Sequence, residues 1–208
     1  MAERTKTEIR KLSARLSFRA APYDWLEKAR TLRRASDHLF IRFEEEMRVY
    51  EEAYFDSSFE LEPPDGSALA LLLGFAIENL LKGLYVSTQK IANPRKLSDL
   101  GRVSRHELLD IAKEVAGKLG EQLSTRDLDI LADVQQTIVW RGRYPTPTDV
   151  DKLISLNDSS PFPAQMLRYR DGCRLYDRLE ALLIPRAPFS IRGNLGLRSG
   201  LMPGIADD

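Results

Sequence analysis

Apolar residues recur at helical spacing along most of this chain, and strand-like alternation is nearly absent. From about Tyr23 to Tyr54, Trp25, Ala29, Leu32, Ala35 or Ser36, Leu39, Phe43, Met47 and Tyr50 form one stripe, leaving Arg and Glu outside. Asp24 followed by Glu27, just after Pro22, has the spacing of a capping box and predicts the start of a long first helix. Pro63-Pro64 cannot continue a helix, so the pattern breaks between Asp56 and Pro64. Ser67 is then the expected cap of a second helix from Ala68 to about Gln89. This segment is apolar nearly all round, which predicts a helix in the middle of a bundle.

Asn93-Pro94 ends the second helix. Ser104-Arg105-His106-Glu107 reads as a capping box for a short third one carrying Leu108, Leu109, Ile111, Ala112 and Val115. Ser124-Thr125-Arg126-Asp127 is a weaker box, opening a fourth helix with the stripe Leu128, Leu131, Val134, Ile138. Pro145 and Pro147 stop it by Arg143-Tyr144. Ser160-Pro161 starts a fifth helix through Met166, Leu167, Cys173 or Arg174, Tyr176, Leu179 and Leu183, closed by Pro185. The expected organisation is a basic N-terminal extension over 1–22, a helical domain over 23–184 and an irregular Gly, Pro and Arg-containing tail over 185–208. The fold class is all-α, an antiparallel bundle of about five helices.

Composition narrows the chemistry. Lys and Arg number 31 and so do Asp and Glu, so bulk charge does not attract a polyanion. The charge is nonetheless in blocks: residues 1–34 hold ten bases and four acids, whereas 44–65 hold nine acids and the single base Arg48. Such blocks fit pairing within or between chains, a ligand, or simply solvated helix faces. One cysteine, Cys173, and two histidines, His38 and His106, make a disulfide scaffold or a multi-histidine metal centre improbable, so neither metal nor cofactor is expected. The apolar run Ala68–Val86 is long enough to cross a bilayer, but Glu78, Asn79 and Lys82 near its middle favour a soluble core helix. No signal-like segment opens the chain, so the expected location is cytoplasmic, with no membrane partner.

Three polar groups interrupt the apolar pattern. Glu78 and Lys82 are four apart on one helix face beside Asn79, suited to an ion pair, or to a carboxylate that orients an arginine in a cleft. Trp140-Arg141-Gly142-Arg143-Tyr144-Pro145 sets two guanidinium forks beside aromatics, suited to gripping a phosphate or to closing a helix C-terminus. His106, near Arg102 and Arg105, is either a neutral base or a residue of a capping turn.

Together, Ala76-Ile77-Glu78-Asn79-Leu80-Leu81-Lys82-Gly83, the Ser-Arg-His-Glu-Leu-Leu segment at 104–109 and Val139–Pro145 resemble the HEPN superfamily (higher eukaryotes and prokaryotes nucleotide-binding) over roughly residues 23–184. The resemblance implies an antiparallel helical bundle that often dimerises. Many members are metal-independent ribonucleases of toxin–antitoxin or other defence systems; others are non-catalytic and bind nucleotides, RNA or a nucleotidyltransferase. The family's catalytic motif is an arginine followed four to six residues later by histidine, opposed by an acid on an earlier helix. Arg143 resembles the arginine, with Arg141 as second choice, and Glu78 resembles the acid. No histidine follows Arg143. Losing that group removes roughly two to four orders of magnitude of acid–base catalysis.

The expected function is therefore a dimeric module, non-catalytic or weakly active, that binds RNA, a nucleotide or a protein such as a nucleotidyltransferase or antitoxin. Arg141, Arg143, Tyr144, Asn79 and Lys82 are its candidate ligand-binding residues. The alternatives are a metal-independent endoribonuclease acting through Arg143, Glu78 and a spatially recruited His106, and a purely structural oligomer.

Overall fold

The structure, a computed structural model, describes residues 21–55, 64–89, 97–141 and 163–188. Among these, five α-helices and no strand are present. They are α1 (Pro22–Phe55), α2 (Ser67–Thr88), α3 (Leu108–Leu119), α4 (Thr125–Gln136) and α5 (Pro163–Leu183). The all-α bundle read from the pattern is what forms. The extension before residue 21, the tail beyond residue 188 and the expected start at Ser160-Pro161 lie outside the described residues.

Helix α2 is the hub, packing against each of the other four helices. Its buried face includes Leu69, Leu73, Ile77, Leu80, Leu81 and Leu84, as a helix that is apolar nearly all round requires. Its most apolar window is 72% buried inside the protein. Glycine lets the neighbours come close. A Cβ on Gly74 would stand 2.8 Å from Ile138 of the turn following α4, and one on Gly83 would stand 2.8 Å from Leu183 of α5. With Gly172 of α5 against Leu73, these contacts make α2 and α5 parallel, and α4 antiparallel to α2. Helix α1 runs against both α2 and α5, with Ser36 bonded to Leu69 and Arg30 to Glu180.

The helix starts differ in detail from the sequence expectation. Helix α1 begins at Pro22, whose missing N–H is no loss at a first position. Asp24 is therefore inside the first turn instead of capping it, and its own N–H reaches the Ala21 carbonyl at 3.2 Å. Ser67 is the first residue of α2 and Gly66, which has no side chain to cap with, is at the cap position; the Asp65 carboxylate before it accepts from the Ser67 N–H at 2.8 Å and hydroxyl at 2.7 Å. The box at Ser104 does not form. Residues Leu97–Ser104 make a 3-10 segment kinked at Gly101 (φ 60°), and Ser104 donates to the Gly101 carbonyl at 3.3 Å. Glu107 instead accepts from Arg102 and Arg105, so α3 starts at Leu108. The weaker box is complete: Ser124 Oγ accepts from the Asp127 N–H, and the Asp127 carboxylate accepts from the Ser124 N–H at 2.8 Å. Helix α4 passes into a π turn, Thr137–Arg141.

Candidate functional site

A carboxylate in the middle of a buried helix has to find donors, because an isolated buried charge is prohibitively costly. Glu78 is such a group, with its side chain only 5% exposed. One turn along α2, Lys82 brings its Nζ to Glu78 Oε1 at 2.8 Å, and the lysine side chain is itself 9% exposed. The second donor comes from outside the helix. His106, in the short connection between the 3-10 segment and α3, places Nδ1 2.7 Å from the same oxygen. The ion pair that the spacing suits is present, joined by a histidine that the sequence left as either a neutral base or a residue of a capping turn.

The geometry favours one tautomer of the imidazole. A carboxylate paired with an ammonium, as Glu78 is with Lys82, offers acceptors and no donor. Nδ1 therefore carries the proton it donates, and Nε2 is the basic nitrogen when the ring is neutral. The His106 side chain is 42% exposed, so the ring links a buried carboxylate to solvent. The carboxylate orients the imidazole through Nδ1, as carboxylates orient histidine in general acid–base sites.

Several local features hold the connection in place. At Gly101 the positive φ favours glycine, and a Cβ there would meet the Tyr85 hydroxyl at 2.6 Å. Arg102 grips Glu107 at 2.9 Å, Asp110 at 3.3 Å and Glu114 at 3.3 Å, while Glu114 also accepts from Lys118 and from Gln89, the residue that caps the C-terminus of α2. These donors hold the Glu114 carboxyl below the usual range, the Lys118 hydrogen bond being the largest cause. The arginines near His106 are thus already paired with acids and do not form an open basic patch.

The remaining candidates are placed less centrally. Asn79 donates from Nδ2 to the Phe75 carbonyl at 2.6 Å, within its own helix, and is not part of the Glu78 cluster. Lys82 serves Glu78 and is nearly closed to solvent. Arg141 ends the π turn; its side chain, with Arg143 and Tyr144, lies outside the described residues. Among the described residues the donors to Glu78 are an ammonium and an imidazole; the guanidinium groups the sequence pointed to, of Arg141 and Arg143, lie outside the described residues.

A second polar cluster had no sequence signal beyond helical spacing. Between α1 and α5, Ser36 is fully buried, donates to the Leu69 carbonyl at 2.8 Å and lies 3.0 Å from the Tyr169 hydroxyl. Tyr169 also reaches Asp37, which Arg33 holds at 2.8 Å. Burial pushes the hydroxyls of Tyr169 and Tyr176 and the thiol of Cys173 upward, so all three resist ionisation. This cluster staples three helices, α1, α2 and α5.

No family model, curated protein or solved structure matches this chain.

Proposed function

We propose that the chain is a HEPN-like, homodimeric, cytoplasmic module that binds RNA or a nucleotide through the face carrying His106, without strong catalysis. The observation that carries this reading is the 2.7 Å bond from His106 to the buried Glu78 carboxylate. It fixes an exposed imidazole whose outward nitrogen suits a phosphate or a base edge. Arg143 and Arg141 are proposed to add guanidinium forks to the same ligand, as the motif resemblance implies. A nucleotidyltransferase or antitoxin is the protein partner that fits this reading.

The test is anisotropy of labelled RNA and of a labelled nucleotide. Binding weakens with salt and falls in His106→Ala, Arg143→Ala and Arg141→Ala. Unchanged affinity in all three variants overturns the proposal.

The same hydrogen bond favours a second reading, a metal-independent endoribonuclease. The motif lacks a histidine after Arg143, and an oriented His106 supplies a base from another part of the chain. This reading requires RNA cleavage in EDTA that leaves 2′,3′-cyclic phosphate ends and stops in His106→Ala. No cleavage across varied RNAs removes it.

A further inference from the structure

Helix α1 carries, beside its buried stripe, a second one: Ala35, Leu39, Arg42, Glu46, Val49 and Ala53. Their steps of four and three residues set them on one face over about 27 Å of helix. Leu39 is 37% exposed and Val49 54%, while Arg42 and Glu46 form an ion pair of 2.8 Å with side chains 78% and 48% exposed. The stripe is self-complementary. Turned end for end about the level of Glu44, it sets Ala35 against Ala53, Leu39 against Val49 and Arg42 against Glu46.

We infer that a second copy of this chain docks here, α1 against α1, antiparallel and two-fold symmetric. Leu39 of each copy packs on Val49 of the other, and the small Ala35 and Ala53 let the backbones approach at both ends. Arg42 and Glu46 exchange their pairing across the axis, so each carboxylate keeps an arginine when the surfaces close. A parallel register would oppose Arg42 to Arg42 and Glu46 to Glu46, which is why the charges specify the antiparallel one. A two-fold interface uses the same patch on both partners, as this stripe does.

This inference deepens the dimeric part of the proposed function and rests on no ligand, so failure of RNA binding and failure of dimerisation are separate results. Sedimentation of the full chain across the micromolar range is expected to show a species of twice the 23.7 kDa chain mass. Arg42→Glu and Glu46→Arg each weaken self-association by about tenfold or more, because each sets like charges across the axis. An equimolar mixture of the two variants restores opposite charges at both positions and associates more tightly than either alone. Val49→Glu weakens the wild-type dimer independently of that pair. A monomer at every concentration, a dimer indifferent to all three substitutions, or a mixture no tighter than its components overturns the inference.

Discussion

Glu78 is a buried charge on one of whose oxygens two donors converge, Lys82 from its own helix and His106 from outside it. Removing one partner of such a pair leaves an uncompensated buried charge, whereas replacing both by apolar groups is often near neutral. Lys82→Met is therefore expected to lower unfolding stability in urea by about 3 kcal/mol. The double variant Glu78→Met, Lys82→Met should recover most of that loss yet bind RNA or nucleotide more weakly, because His106 has lost its anchor. If the double variant binds normally, the histidine needs no carboxylate and its orientation has no function. The tyrosines of the α1–α5 cluster give a pH signature of known sign. Their pKa values are raised on folding, so native Tyr169 and Tyr176 keep protons that the unfolded chain releases above the ordinary tyrosine value of about 10. The stability this contributes is complete below pH about 10 and is lost as pH rises beyond it. Melting temperatures are expected to fall across that alkaline window, less steeply in Tyr169→Phe; equal slopes would contradict the assignment.

At the scale of the element, helix periodicity was legible and helix starts were less so. A capping box is a local motif, but it forms only when the chain before it leaves its serine and its acid free. At Ser124 both are free, and the box closes. At Ser104 the serine turns back to Gly101 and Glu107 is drawn to Arg102, so the stronger pattern yields no cap. Ser124→Ala should accordingly cost about 1 kcal/mol in chemical denaturation, and Ser104→Ala well under half of that. Equal losses would mean that the cap assignment is wrong. Glycine gives a second contrast. A Cβ at Gly117 meets nothing within 4 Å, so Gly117→Ala should stabilise α3 by roughly 0.5–1 kcal/mol. At Gly74 the same change drives a methyl into the fully buried Ile138 and should cost about 1–3 kcal/mol. A stabilising Gly74→Ala would show that α2 and α4 do not pack as closely as described.

At the scale of the whole molecule, a helix apolar nearly all round announced the centre of the bundle, because such a helix must be covered on most of its sides. Part of the charge blocks also resolves into pairing between helices. Arg30 meets Glu180, Arg33 meets Asp177, Arg126 meets Asp171 and Arg178 meets Asp127, and these bridges tie α5 to α1 and α4. None of these partners is legible from spacing, since they lie far apart in sequence and meet only once the helices pack. The same holds for the candidate site. Glu78 and Lys82 are one turn apart and were readable as a pair, but His106 is 28 residues from Glu78 and reaches it through a segment shaped by Gly101 and Tyr85. The most direct test of the account is long-range nitrogen NMR of the His106 ring during titration with a short RNA and with a nucleotide. The account predicts a ring protonated at Nδ1 with its basic nitrogen at Nε2, and a shift at Nε2 when either ligand is added. A ring protonated at Nε2 alone, or one that neither ligand perturbs, would contradict it.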